Sequence, residues 1–190
     1  MPPKPKFTRD EIAAKALEII RTQGNSEFTA RKLGAALGVS SRPLFTAFKN
    51  MEEIRHAARE IAMREFEEFG ANYSKDEIPF KKIGMNMIDY AINQPEMFKL
   101  IFMEESAKKR TINDIMNNLG MLSDASLQIL KENYGLDNEQ AHALFEQVWV
   151  YTFGISSLCA MKVCNFTPEE ISQRLTSVFM STLEHIKKQK

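Results

Sequence analysis

The sequence predicts an all-α protein, and three observations lead to that fold class. No alternation of apolar and polar residues, the mark of a half-buried strand, persists along the chain. Apolar residues recur instead with helical spacing, as Ile12 and Ala16 do in the first segment. Start and stop signals bound the segments, since Thr8 and Glu11 form a capping box and Gly24 is expected to end the helix that they open.

The same signals divide the chain into about nine helices joined by short breaks. Proline stands in the first turn of two helices, at Pro95 and Pro168, where its missing N–H costs nothing. Gly120 is expected to kink or divide the long segment around it. The predicted helices run from Thr8 to Gly24, from Thr29 to Gly38, from Ser40 or Ser41 to Phe48 and from Met51 towards Gly70, and over residues 76–93, 95–104, 107–133, 138–163 and 168–187.

The composition is that of a globular intracellular protein. Of the 190 residues, 44% are apolar, which is enough for a packed core and above the range of disordered chains. No run of about 18 apolar residues predicts a membrane span, and the first residues lack the apolar core of a signal peptide. A cytoplasmic protein without a membrane partner is therefore expected.

The charge is unevenly spread although the whole chain has a net charge of zero. Residues 1–50 hold nine Lys or Arg and four acidic residues, a net charge of +5, which leaves −5 for the remainder. A basic head on an acidic body indicates a polyanionic partner for the head alone. We therefore divide the chain into a first domain, residues 1–50, and a second domain, residues 51–190, connected by the helix at about 51–70.

Residues 29–48 have the spacing of a helix-turn-helix. Two short helices flank Gly38, which can adopt the positive φ of a tight corner. Gly34 lies where the second helix must approach closely, so a large side chain there would hold the two helices apart. The apolar residues of this stretch are spaced to form one small core, made of Leu33, Leu37, Val39, Leu44 and Phe48.

Pro43 lies inside the second of these helices. If Ser40 is the N-cap, Pro43 is the third helical residue and its missing N–H removes no intrahelical hydrogen bond. Because proline disfavours the helical conformation at Arg42, we expect a 3₁₀-like first turn. The exposed face would then present Ser41, Arg42, Pro43 and Thr46, where recognition helices meet base edges. A helical hairpin that binds nothing has the same spacing, and the motif alone leaves that alternative open.

The N-terminal stretch resembles the DNA-binding domain of the TetR family of bacterial transcriptional regulators. The resemblance lies within residues 8–55, in the segments IAAKALEIIRTQG and FTARKLGAALGVSSRPLFTAFKNMEEI. The family pattern is a first helix that ends in glycine, a threonine that opens the second helix, L-G-V-S at the turn, an aromatic residue in the third helix, and then F-K-N-x-E-E-[LI]. The resemblance implies binding to double-stranded operator DNA.

The resemblance also implies a function for each matching residue. Thr29 would cap the second helix and touch a phosphate, Ser40 would cap the recognition helix, and Lys49 would contact a phosphate where the fourth helix begins. Phe45 replaces the usual tyrosine, has no hydroxyl to offer a phosphate, and is expected to pack. The whole predicted DNA-binding surface comprises Thr29, Arg31, Ser40, Ser41, Arg42, Pro43, Phe45, Thr46 and Lys49.

The C-terminal body is expected to hold a dimer interface. Residues 143–163 are apolar almost all round, so that helix must be buried on most faces, and the last helix carries one apolar stripe. The resemblance implies a homodimer in which the last two helices of each chain pair into a four-helix bundle. The alternative is that both helices lie in the core of a monomer.

The resemblance further implies an effector pocket among the fifth to eighth predicted helices, which lie in the second domain. This part of the chain is rich in methionine and aromatic residues, which line adaptable apolar pockets but also fill ordinary cores. No buried charge stands out in the sequence, so a small hydrophobic or weakly polar effector is expected. The predicted lining is Tyr90, Met97, Phe98, Met121, Trp149 and Phe153.

The predicted function is a ligand-responsive transcriptional regulator, expected to act as a repressor. One alternative is a redox-sensing regulator on the same fold that uses Cys159 or Cys164, although cysteines in apolar helices are more often inert. An enzyme is not expected, because no nucleophile–base spacing, phosphate loop or metal cluster is present, and no cofactor follows. A last alternative is an interaction module whose DNA-reading head has decayed, which Phe45 and Pro43 keep open.

Overall fold

The structure is a computed structural model that describes residues 7–70, 79–104, 111–117 and 121–188. Side chains at 70, 79, 80, 117, 121 and 122 are outside the description. Three details of the sequence prediction therefore lie outside the described residues. They are the start of the helix expected from residue 76, the start of the segment expected from residue 107, and the backbone at Gly120.

Within the described residues the regular structure is helical and contains no strand, which confirms the predicted all-α class. The segment predicted over 107–133 holds two helices. The described residues therefore form ten α-helices, where about nine were predicted. None of these helices is long and apolar enough to cross a membrane. A 3₁₀ turn covers Asn25–Glu27, and the α-helices are α1 (Arg9–Gln23), α2 (Ala30–Ala36), α3 (Leu44–Ala47), α4 (Met51–Gly70), α5 (Pro79–Asn93), α6 (Pro95–Phe102), α7 (Ile112–Asn117), α8 (Met121–Tyr134), α9 (Asn138–Ala160) and α10 (Pro168–Lys188).

Side-chain caps fix where several helices begin. Thr8 opens α1 in a reciprocal capping box with Glu11, the third residue of the helix, as predicted. The Oγ1 of Thr29 accepts a hydrogen bond from the N–H of Lys32 at 3.3 Å, which satisfies one of the free donors at the start of α2. A further capping box, made by Asp137 and Gln140, opens α9. That box was not predicted from the sequence.

The residue contacts divide the chain into two units. The first comprises the described residues up to Phe66 together with Glu96–Glu104, and the second comprises the other described residues. The first unit is thus larger than the domain of residues 1–50 expected from the charge distribution. Most of α4 and α6 joins it because Arg59 donates two hydrogen bonds to the carbonyl oxygen of Ile101, at 3.0 and 2.7 Å. The rings of Phe66 and Phe102 also pack edge to face, with centroids 5.2 Å apart.

The core of the first unit forms where the apolar faces of its helices meet. Leu33 of α2 and Leu44 of α3 are completely buried, and Phe48 is 2% exposed. Leu37 and Val39, predicted for the same small core, are only half-buried because they lie in the turn. Burial of the three larger side chains fixes which face of α3 is left outside.

Two glycines permit the turn between α2 and α3. Gly38 has φ +67°, a conformation that costs a residue with a Cβ about 1–2 kcal/mol. A Cβ at Gly34 would lie 2.9 Å from the carbonyl oxygen of Val39 and 3.1 Å from backbone atoms of Ser40 and Ser41. The predicted close approach at Gly34 is therefore present, and its partner is the backbone that leads into α3.

Arg9, in the first turn of α1, holds the end of α3. Its Nη1 donates to the carbonyl oxygen of Ala47 at 2.5 Å, and its Nη2 forms an ion pair with Glu53 of α4 at 2.9 Å. The guanidinium also lies over the ring of Phe48, 4.0 Å from the centroid. Arg9 was not predicted from the sequence to support α3. A cation at a helix N-terminus could have indicated it, because the helix dipole disfavours a positive charge there unless a partner compensates.

The second unit packs α5, α8 and α10 around α9. Its buried cluster joins Ile88 of α5, Ile155 and Cys159 of α9, and Ile171 and Leu175 of α10. Most of the apolar stripe predicted for the last helix is therefore used within the chain: Ile171, Leu175, Phe179, Leu183 and Ile186 are at most 9% exposed. Val178, predicted for the same stripe, is half-buried. For that stripe, the alternative of a core within one chain is the one observed.

Replacing Gly34 with alanine is expected to lower the free energy of unfolding by ~1–3 kcal/mol, because the new methyl group would press on backbone atoms that cannot move independently. Helix propensity alone predicts the opposite sign, a gain of about 1 kcal/mol. Urea denaturation followed by circular dichroism decides between these outcomes. Ala35→Gly, at an exposed neighbouring position, measures the propensity term by itself. A Gly34→Ala variant at least as stable as the unmodified protein would contradict the close approach.

Replacing Arg9 with alanine is expected to cost ~1 kcal/mol, chiefly from the lost hydrogen bond to Ala47, since exposed ion pairs add little. Arg9→Lys should recover only part of that loss, because an ammonium cannot reach two acceptors and stack on Phe48 together. Lys15→Ala is the matched control, since it removes an α1 cation that pairs with Glu18 on the same helix. Equal losses for Arg9→Ala and Lys15→Ala in urea denaturation would contradict the proposed support of α3.

Candidate nucleic-acid interface and ligand cavity

The entry to α3 is a 3₁₀ turn, as the sequence predicted. The N–H groups of Leu44, Phe45 and Thr46 each donate to the carbonyl oxygen three residues earlier, all at 3.2 Å. Pro43 precedes the helix with φ −61° and ψ −25°. The prediction that Ser40 caps this helix is wrong, since α3 begins only at Leu44 and no side chain caps it. Proline restricts the residue before it, so α-type hydrogen bonding starts after Pro43.

The outer face of this segment presents most of the residues predicted to read DNA. Arg42, Thr46 and Lys49 are exposed, as is Ser40, while Ser41 and Pro43 are half-buried. The Oγ1 of Thr46 donates to the carbonyl oxygen of Pro43 at 2.6 Å, which fixes the orientation of its methyl group. On α2, Thr29 and Arg31 are both exposed.

Phe45 does not pack, and the sequence prediction on this point is wrong. Its side chain is 43% exposed, whereas Leu44 is completely buried. The reason is the shortness of α3. Leu44 and Phe48, four residues apart, occupy the single inward face, and Phe45 is turned about 100° away from Leu44 on the outer side. A large aromatic surface is therefore available beside Arg42.

Lys49 lies where α4 begins, and its surroundings are ordered by Glu53. The carboxylate of Glu53 accepts the backbone N–H of Lys49 at 2.6 Å, and the Oδ1 of Asn50 accepts the N–H of Glu53 at 2.8 Å. The hydrogen bond from the Lys49 backbone, followed by that from Arg9, lowers the pKa of Glu53. These contacts fix the backbone at Lys49, whose side chain is exposed.

The second unit contains a small cavity between four helices. Its volume is about 70 Å³, space for about two water molecules at liquid density or for a short hydrocarbon. Its walls are mostly apolar. The lining residues are Lys81 and Gly84 of α5, Tyr134 of α8, Val148 and Thr152 of α9, and Leu175, Thr176, Phe179 and Met180 of α10.

None of the five described residues among the six predicted to bind the effector lines this cavity. Met97 and Phe98 are buried on α6 in the first unit, and Tyr90 is buried on α5. Trp149 stacks on Phe153, with ring centroids 5.3 Å apart. The side chain of the sixth residue, Met121, lies outside the described residues. The binding function assigned to these six residues stays a prediction.

The two cysteines differ in burial. Both are free thiols, and Cys159 is buried. Burial raises the pKa of the Cys159 thiol, and the neighbouring Cys164 raises it further. A raised pKa disfavours the thiolate that redox sensing requires. No cluster of metal-ligating side chains is present among the described residues.

Comparison with known proteins identifies the fold. No family model and no curated protein matches the sequence. The structure of BioQ with its natural double-stranded DNA operator matches with a TM-score of 0.62 at 14% identity, covering 95% of this chain and 100% of that one. A TetR variant from Acinetobacter baumannii AYE in complex with minocycline matches with a TM-score of 0.61 at 15% identity, covering 96% and 98%.

A TetR-family protein from Vibrio parahaemolyticus is also similar, with a TM-score of 0.58 at 16% identity, covering 93% of this chain and 96% of that one. These matches span the helix-turn-helix unit and the larger helical unit together. At such low identity these matches establish the fold of the chain and do not establish its function. The chain has the fold of the TetR-family transcriptional regulators.

Proposed function

We propose that this protein is a TetR-family transcriptional regulator that binds operator DNA as a homodimer and responds to a small-molecule effector. The observation that carries the proposal is the exposed face of Arg42, Phe45 and Thr46 at the second helix of a helix-turn-helix. The helix is held in place by burial of Leu44 and Phe48. A regulator of this kind acts in the cytoplasm.

The chemistry of this face suits the major groove. Arg42 is long enough to make a bidentate contact with the O6 and N7 atoms of guanine. Lys49 and Arg31 flank the face and would neutralise phosphates, consistent with the net charge of +5 in the first fifty residues. Thr29 lies at the start of α2, where helix N–H groups can donate hydrogen bonds to a phosphate.

Phe45 has no hydroxyl and so cannot donate to a phosphate oxygen. An exposed phenyl ring in the major groove instead suits the C5-methyl group of thymine. Arg42 and Phe45 are three residues apart along a tight helical turn, so their side chains would reach base pairs one or two steps apart. We infer that each operator half-site contains a guanine close to a thymine.

The homodimer is proposed to form through α9 and α10. The outer face of α9 carries Val150, which is 45% exposed, and Met161, the residue that follows the helix, is 47% exposed. Gly154 lies between these two residues, and a Cβ there would meet nothing within 4 Å in this chain. Glycine inside a helix costs about 1 kcal/mol relative to alanine, a cost that a close crossing of two subunits would explain.

Regulation would follow from coupling between the two ligands. An effector that binds better to one spacing of the two recognition helices shifts the population away from the spacing that fits the operator, typically with a coupling free energy of about 1–3 kcal/mol. We propose that the effector releases the operator, so that the protein represses. The apolar cavity of the second unit favours an effector with a mainly hydrophobic body.

Selection from a random duplex library should enrich a palindrome whose half-sites contain guanine near thymine. Affinity should fall steeply with salt, and Arg42→Ala should weaken binding by ~1–3 kcal/mol and relax the preference for guanine. Replacing the critical deoxythymidine with deoxyuridine removes only the methyl group. That replacement should weaken binding by the unmodified protein but not by Phe45→Ala, when both are measured by fluorescence anisotropy.

Phe45→Tyr is the matched control, since it keeps the ring and adds the usual hydroxyl. Enrichment of no sequence, by a folded protein, would contradict the proposed function itself. An enriched operator whose deoxyuridine substitutions leave the affinity of the unmodified protein unchanged would contradict only the thymine contact.

Val150→Glu should raise the dissociation constant of the homodimer at least tenfold, because it would place a charge in an apolar contact. Sedimentation velocity across a concentration series measures this change. Ile92→Glu is the matched control, because Ile92 of α5 is exposed to the same 45% but lies on neither α9 nor α10. Equal effects of the two substitutions, or none from either, would contradict the proposed interface.

A further inference from the structure

The cavity of the second unit has a closed apolar floor and an open rim. Val148, Leu175 and Phe179 are buried and form the floor. Lys81 is half-buried at the rim, and Met180 is exposed there. A ligand that fits this arrangement places hydrocarbon inside and a polar group near solvent, because burying an unpaired polar group is costly.

Gly84 is the reason that α5 can leave this space open. A Cβ at Gly84 would lie 3.2 Å from the Cδ1 atom of Leu175 and 3.5 Å from the Oγ1 atom of Thr152, both of which line the cavity. Any larger side chain would therefore enter the floor. Lys81 lies three residues earlier on the same helix, so its side chain and the space at Gly84 share one face of α5.

The polar groups around the cavity favour an anion over a cation. Among the nine described residues that line the cavity, Lys81 is the single charged one, and its charge is positive. Tyr134 can donate a hydrogen bond from its hydroxyl, and burial raises the pKa of that phenol, so it remains protonated at neutral pH. The hydroxyl of Thr152 already donates to the carbonyl oxygen of Val148 at 2.7 Å.

The volume limits the hydrocarbon part to a few atoms. A cavity of about 150 Å³ takes a benzene ring, whereas about 30 Å³ corresponds to one water molecule. The present cavity, about 70 Å³, lies between these sizes. Its enclosed part accommodates a chain of roughly three or four carbon atoms.

We propose that this cavity binds a short-chain monocarboxylate, whose hydrocarbon lies against Val148, Leu175 and Phe179 and whose carboxylate pairs with Lys81 at the rim. The inference refines the effector of the proposed regulator from a hydrophobic body to a small amphiphilic anion. Its function as an effector rests on the proposed function, whereas binding itself requires no DNA.

Isothermal titration calorimetry on the full-length protein tests the binding directly, with propionate, butyrate and valerate as probes at constant ionic strength. Butyrate or valerate is expected to bind, and butyramide, which has the same shape but no charge, is expected to bind at least tenfold more weakly. Lys81→Met should weaken carboxylate binding at least tenfold, and Lys81→Arg should restore most of it.

Lys82→Met is the matched control, because Lys82 is the next residue of α5 but does not line the cavity. Far-ultraviolet circular dichroism of each variant verifies that it is folded. Gly84→Ala should shift the preferred ligand towards a shorter acid, since the new methyl group occupies part of the floor.

Three results would each overturn the inference: no heat of binding from any of the three acids, equal binding of butyramide and butyrate, or equal losses in Lys81→Met and Lys82→Met. The calorimetry does not depend on an operator, so a failure of DNA selection leaves it intact. Carboxylate binding that depends on Lys81 would support the site even if no operator were found.

Discussion

The helix-turn-helix depends on the absence of a side chain at Gly34. The carbonyl oxygen of Gly34 accepts the N–H of Val39 at 2.9 Å, so the chain turns back onto its own helix at this point. That contact directs the following segment across α2 and brings Leu44 into the core. Only then does Arg9 reach the carbonyl end of α3. Everything that faces outward from α3 is placed by this sequence of contacts, none of which involves the outward residues.

The outward residues of α3 are consequently free to differ from those of related proteins. Leu44 and Phe48 supply the packing, which leaves the side chains of Arg42, Phe45 and Thr46 outside the core of the unit. The 3₁₀ entry imposed by Pro43 shortens the helix and turns the ring of Phe45 outward. An exposed phenyl group is unfavourable in water, and contact with a thymine methyl group would give that surface an apolar partner. The buried face of this segment thus stabilises the unit, and the proposed base contacts lie on the opposite, exposed face.

In the second unit, α9 is the central helix. Its helices α5, α8 and α10 cover α9 from three sides, and the fourth side retains Val150, Gly154 and Met161 at the surface. The cavity lies where α5 crosses α9 and α10, and it exists because Gly84 adds nothing to that crossing. The acidic body therefore combines an apolar outer stripe, suited to a second copy of the chain, with one lysine beside a small apolar space.

The sequence by itself determined most of the helices, several of their caps and the family likeness, because periodicity, capping boxes and glycine turns depend on residues within a few positions of each other. Most of the residues proposed to read DNA could also be predicted from it, since they follow one another along the turn and α3. Tertiary structure alone decided the exposure of Phe45, the bond from Arg9 to Ala47 and the lining of the cavity. The last two of these depend on elements far apart in the chain, and the exposure of Phe45 depends on which face of the short α3 packs inward. Predicted aromatic residues such as Trp149 failed to mark the cavity because burial in a core and lining of a pocket require the same side chains. A cavity is defined by what the surrounding helices leave unfilled.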